Sequence, residues 1–140
     1  MNVIEKKITV NAPLSRVWKA LTDPEELSQW MLMQTTFVPE INKDFTFKTY
    51  PGQEMQAFFK CKVIEIVQNK KLSFTWNMNS MDADTLVTIE LKQAGNQTEL
   101  TLVHTGWDNL PSETAEQMKE SHSKSWDLRF CEKLKELIEG

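Results

Sequence analysis

Two histidines, five tryptophans, two cysteines and seven methionines are the residues of this 140-residue sequence whose types could define a site. His104 and His122 are the histidines, so general acid–base chemistry near neutral pH would fall first to them. No carboxylate or hydroxyl stands at a spacing that clearly pairs it with either. Without acidic or thiolate ligands at characteristic spacing they make a poor metal site, and no cofactor is expected. Cys61 and Cys131 lie far apart, form no ligand pattern and read as small core residues. A glycine-rich phosphate loop, a nucleophile elbow and a cysteine–histidine catalytic spacing are all missing. Asp82-Ala83-Asp84 reads as a solvated hairpin loop rather than a cation site.

The tryptophans point to recognition rather than bond-making. Buried aromatics usually fill volume, but a group of them can also line a cavity for a flat or apolar ligand. Trp18 lies on an apolar helical face and reads as core. Met31, Met33, Met55, Met78 and Met118 add soft surface that suits either an irregular core or an adaptable pocket.

The elements that must hold these residues follow from hydrophobic period. Residues 3–10 read as a strand. Pro13 suits the first turn of a helix carrying Leu14, Val17, Trp18 and Leu21 inward. Thr22-Asp23-Pro24 ends that helix and starts another, with Asp23 as N-cap, Pro24 at the first position and Leu27 and Trp30 inward. From about residue 35 to 106 the period becomes two. Phe45–Lys48, 55–67, Leu72–Met78, Val87–Leu91 and Leu100–His104 read as strands, with turns at Asn42-Lys43-Asp44, Gln68-Asn69-Lys70 and Ala94-Gly95-Asn96-Gln97. His104 continues the inward alternation of Leu100 and Leu102. Ser112 is a plausible N-cap for a last helix, where Ala115, Met118, His122, Trp126, Phe130, Leu134 and Leu137 form one face. At about 1.5 Å per residue, a helix of about 25 residues crosses a whole sheet. The order is strand, two short helices, strands, long helix, which predicts an α+β fold with helices on one side of an antiparallel sheet.

Composition narrows the classes of partner. The formal net charge is −4 and no basic block occurs, so nucleic acid is not an expected partner. Lys60, Lys62, Lys70 and Lys71 fall among alternating apolar residues and read as a solvated sheet face. Neither a signal peptide nor an apolar run long enough for a membrane span is visible, and a cytoplasmic location is expected.

Three stretches together resemble a known family. Ile8–Pro13, Val17–Pro24 and Leu27–Trp30 look like the opening signature of the activator-of-Hsp-90-ATPase-like proteins, of the START-like (Bet v-like, SRPBCC) superfamily. Leu72–Trp76, Thr98–Trp107 and Trp126 follow in the matching order, so the resemblance spans the whole chain, 1–140, as one domain. It implies a helix-grip fold, β-α-α-β6-α, in which a curved antiparallel sheet wraps around the last helix. Where many relatives carry a Gly-Gly-type turn, this chain has Asn42-Lys43-Asp44. In such a fold Trp30, Trp76, His104, Trp107, Met118, His122 and Trp126 would surround one space, which makes them the candidate ligand-binding residues. A non-enzymatic module binding a hydrophobic small molecule, lipid or aromatic, is the leading expectation. The alternative that the family resemblance implies is a stress-related co-chaperone acting on an Hsp-90-type chaperone, and the third, from the wider superfamily, is a cyclase- or hydrolase-like enzyme.

Overall fold

The computed structural model describes residues 3–53, 56–79, 81 and 83–140; Met55 and Asp82, singled out above, lie outside the described residues. The chain opens with β1 (Ile4–Val10), then α1 (Leu14–Thr22) and α2 (Pro24–Met31). Six strands follow: β2 (Gln34–Thr35), β3 (Asp44–Lys48), β4 (Phe58–Val67), β5 (Lys71–Met78), β6 (Thr85–Ala94) and β7 (Gln97–Thr105). A 3-10 turn at Trp107–Asn109 leads into a 28-residue C-terminal helix. That helix comprises α3 (Ser112–Trp126), a π-helical segment (Asp127–Leu134) and a last α-helical turn, α4 (Lys135–Glu139). The element order is the β-α-α-β6-α order expected of a helix-grip fold.

All neighbouring strands pair antiparallel, in the order β1-β7-β6-β5-β4-β3-β2, and the sheet curls as a half-barrel against the long helix. Alternation decides which side chains meet the helix. Phe45 and Phe47 of β3, Phe59, Cys61 and Val63 of β4, and Leu72, Phe74 and Trp76 of β5 are buried. So are Thr85, Val87, Ile89 and Leu91 of β6 and Thr98, Leu100, Leu102 and His104 of β7. The opposite face is solvated: Lys60, Lys62 and Lys70 are exposed there, as are Phe58 and Ile64 of β4, and Lys71 pairs with Glu65 at 3.0 Å. The lysines thus occupy the solvated face their spacing indicated.

Turns between strands use residues that tolerate a left-handed backbone. Asn42 (φ 68°), Asn69 (φ 63°) and Asn79 (φ 51°) hold such positions, as does Gly95 (φ 64°) in the β6–β7 hairpin. Asn42 therefore does the conformational work that a glycine does in a Gly-Gly turn. Both proline-led helices begin one residue away from the expected place. Pro13 and Pro111 are N-caps with extended backbones (ψ 162° and 138°), so Pro13 precedes the first turn and Ser112 is the first helical residue. Each proline carbonyl receives an early helical N–H, from Val17 at 3.2 Å and from Ala115 at 2.8 Å. Asp23 and Pro24 stand at the expected N-cap and first position, without a side-chain cap bond.

The inward stripe of the long helix is Ala115, His122, Trp126, Phe130, Leu134 and Ile138. From His122 onward every step is four residues. In an α-helix of about 3.6 residues per turn, each four-residue step drifts by about 40°. The wider turns of the π-helical segment counter that drift and keep Trp126, Phe130 and Leu134 on the sheet. One consequence corrects the sequence pattern at its end: Ile138 is buried and Leu137 only half-buried.

Candidate functional site

The middle strands and the long helix bring aromatic and polar side chains to one end of the core. β5 contributes Trp76, and its register partner on β6 is Thr85. β7 contributes His104, opposite Val87 of β6 and Ile4 of β1. Gly106 (φ 95°) then turns the chain sharply off β7, and a Cβ there would meet the Thr85 Cα at 3.1 Å. That close approach lets Trp107 fold back over the sheet, where it is fully buried. The helix supplies His122 and Trp126, one turn apart.

These groups form a connected hydrogen-bond network. The Trp126 indole N–H donates to His104 Nδ1 at 3.1 Å. His104 Nδ1 is therefore an acceptor, and its proton sits on Nε2, which donates to Thr85 Oγ at 2.7 Å. The Thr85 hydroxyl in turn donates a hydrogen bond to the Trp76 carbonyl at 3.0 Å. On the other side of the same tryptophan, the Trp76 indole N–H donates to His122 Nε2 at 3.0 Å. His122 carries its proton on Nδ1, which donates to the Met118 carbonyl at 2.7 Å. The Trp107 indole N–H donates to the His104 carbonyl at 3.1 Å. Every ring nitrogen in the group is engaged, and each tautomer is dictated by its donor.

The electrostatics agree with this assignment. Burial, with a smaller contribution from His122, holds His104 well below the ordinary histidine range. Burial also lowers His122; its bond to the Met118 carbonyl works against that shift, and the nearby charge of Arg129 adds to it. Both imidazoles are neutral at physiological pH. A neutral imidazole with both nitrogens occupied cannot shuttle a proton to a substrate unless the network opens.

Ring contacts bind the cluster together. His104 and Trp107 centroids are 4.4 Å apart, Trp76 and Trp126 5.6 Å, and His104 and His122 5.6 Å. Phe59 of β4 lies 4.3 Å from Trp76. Of the seven residues proposed from sequence, Trp76, His104, Trp107, His122 and Trp126 come together here. Met118 joins through its carbonyl, its residue being half-buried. Trp30 does not join them. Its indole donates to the Ala20 carbonyl at 2.9 Å and its ring meets Phe130 at 6.4 Å, so it fastens α2 to α1 and to the helix farther along. Met31 and Met33 are buried core residues, and Trp18 packs half-buried against the core.

Three participants were not singled out from sequence. Thr85 extends the inward alternation of Val87, Ile89 and Leu91 by one step, and Phe59 holds the same position on β4. Arg129 follows Trp126 by three and His122 by seven, the spacing of a shared helical face. Among the described residues no group of histidine, cysteine, aspartate and glutamate is arranged to hold a metal ion. The rings themselves occupy the space between sheet and helix. A separate open groove of about 660 Å³ runs between β1 and the first half of the helix, lined by residues such as Ile4, Lys6, Glu116 and Glu120.

A curled antiparallel sheet closing on one long C-terminal helix, with an aromatic cluster at their interface, is a helix-grip domain. The chain belongs to the family described as Activator of Hsp90 ATPase homolog 1-like protein, whose model matches residues 11–139. Among solved structures it is similar to protein MLL2253 from Mesorhizobium loti, with 24% identity, 97% of this chain and 96% of that chain covered, and a TM-score of 0.82. Protein BH1534 from Bacillus halodurans is 28% identical, with 98% and 96% of the two chains covered and a TM-score of 0.77. DynU16, a putative protein in the dynemicin biosynthetic locus, shares 22% identity over 99% of this chain and 48% of its own, with a TM-score of 0.79. None of the curated proteins matches. No described helix is long and apolar enough to cross a membrane.

Proposed function

We propose that this chain is a non-enzymatic binding module for a hydrophobic small molecule, aromatic or lipid-like, held between the sheet and the C-terminal helix. The observation that carries the reading is the network of Trp76, His122, His104, Thr85, Trp107 and Trp126. A core that only filled volume would gain more from aliphatic residues than from two neutral imidazoles and three indole donors. Here the polar groups lie inside, satisfied by one another, and parting them would uncover flat apolar faces with a few oriented donors and acceptors. That combination is the usual chemistry of a small-molecule site.

Access runs through the helix. Ahead of His122, α3 buries only Ala115, so few apolar contacts hold its first turns to the sheet. Moving that half outward would part the Trp76–His122 bond and open a slot between Phe59, Trp76 and Trp107. A flat ligand would then exchange ring contacts within the protein for contacts with itself. Since both histidines are neutral and fully engaged, binding rather than acid–base turnover is the expected activity. The test is titration of intrinsic tryptophan fluorescence with a panel of aromatic and lipid-like compounds. Saturable quenching that is weakened in Trp76→Phe supports the reading; a flat response across the panel overturns it.

The family match favours a second reading, a domain that acts on an Hsp-90-type chaperone, as a stress-linked co-chaperone. It predicts a change in the chaperone's ATPase rate when the domain is added. An unchanged rate at saturating domain concentration removes it. Either activity fits a cytoplasmic location.

A further inference from the structure

The chain contains two arginines, and their settings differ sharply. Arg16 is neutralised: its guanidinium donates to Glu26 at 2.7 Å and to the Leu137 carbonyl. Arg129, on the π-helical segment, has no such partner among the described residues. Its Nε is sealed from solvent without an acceptor, and its other two nitrogens take no partner among the described residues either. Burial lowers its pKa, and no carboxylate among the described residues offsets that penalty. The side chain as a whole is half-buried, so it stands at the margin of the core rather than deep within it. It shares a helical face with Trp126 and His122, and its charge is felt at the His122 ring.

A partly desolvated cation without a counter-charge is destabilising, and proteins ordinarily pair it. Guanidinium is also the cation best suited to a drier site. It is weakly hydrated, and its planar fork matches the two oxygens of a carboxylate, sulfonate or phosphate. With both imidazoles neutral, the charge for recognising an anion at this cluster falls to Arg129.

We propose that Arg129 is the anion-recognition residue of the ligand site, and that the ligand is amphipathic, with an apolar body and one anionic oxygen-bearing head group. The body lies against Trp76, His122 and Trp126, and the head group pairs with the guanidinium at the margin. The inference rests on the binding reading above and narrows its substrate class.

The experiment compares two probes with nearly the same aromatic skeleton, anilinonaphthalene sulfonate and the neutral N-phenyl-naphthylamine, by fluorescence titration. The wild-type chain should bind the sulfonate at least about tenfold more tightly, because hydrogen bonds to charged groups are about twice as strong as neutral ones. Arg129→Gln should abolish that preference while leaving the neutral probe's affinity unchanged. Arg129→Lys should keep part of it, having the charge without the fork. Lys135→Gln, an exposed cation on the same helix, should keep all of it. The thermal midpoint of Arg129→Gln should be no lower than that of the wild type, since an unpaired charge has been removed.

Saturable binding of the neutral probe with no preference for the sulfonate would overturn this inference and leave the binding reading standing. A preference that survives Arg129→Gln, or vanishes equally in Lys135→Gln, would do the same. Binding of neither probe overturns both.

Discussion

Mild acid should destabilise this fold through its two buried histidines. The Trp126 and Trp76 indole N–H groups point at His104 Nδ1 and His122 Nε2, so protonating either nitrogen sets two donors face to face. Burial lowers both histidines in the folded chain, His104 the more strongly, whereas both regain ordinary values on unfolding. The unfolded chain therefore binds more protons below about pH 6.5, and stability falls as the pH falls through that value. It is fully present above the unfolded pKa, and its loss stops only below each folded pKa. The slope is about 1.4 kcal/mol per pH unit for each histidine in that window. Between pH 7.5 and 5.5 the loss should thus be about 1.4 kcal/mol from His104 alone, and up to about 2.7 kcal/mol if His122 contributes fully. Urea unfolding followed by tryptophan fluorescence, repeated across this range, measures it. His122→Gln sharpens the test, because the glutamine amide can still accept from the Trp76 indole but does not titrate. It should flatten the pH profile by the share that belongs to His122. A stability independent of pH between 7.5 and 5.5, or an acid loss that His122→Gln leaves wholly unchanged, would refute the assignment of both imidazoles as neutral acceptors.

Three further outcomes follow from the same geometry. Thr85→Val keeps the shape but strands the His104 Nε2–H and the Trp76 carbonyl, both bonded to the hydroxyl, and should cost about 1–3 kcal/mol in urea unfolding. Gly106→Ala combines a φ of 95° with a 3.1 Å approach to the Thr85 Cα, and should cost about 1–3 kcal/mol and blue- or red-shift the Trp107 emission. Burial raises the pKa of both thiols, far more for fully buried Cys61 than for half-buried Cys131. A thiol reagent at mildly alkaline pH should therefore label Cys131 slowly in the folded chain and Cys61 only after unfolding, as mass spectrometry would register.

The sequence by itself determined the order of elements and the faces they bury. Period-two alternation put His104 inward with Leu100 and Leu102, and the three-to-four spacing of the last helix put His122 and Trp126 on its inner face. These are local properties of strands and helices, readable without knowing what lies opposite. Tertiary structure decided everything that depends on partners distant in the chain. The His122–Trp76 bond joins residues 46 positions apart, and the Trp126–His104 bond joins residues 22 apart. No pattern along the chain encodes which indole meets which imidazole, because that depends on strand register and on how the helix rests across the sheet. The same is true of Trp30, whose inward position was legible but whose partner, the Ala20 carbonyl, separates it from the other tryptophans. The π-helical segment, too, emerged only in three dimensions, where holding Trp126, Phe130 and Leu134 to one sheet required a wider turn than an α-helix has. Arg129 is the plainest instance: in the sequence it is one cation among sixteen lysines and arginines, and only the fold shows that it is half-buried with its Nε sealed from solvent and no counter-charge among the described residues.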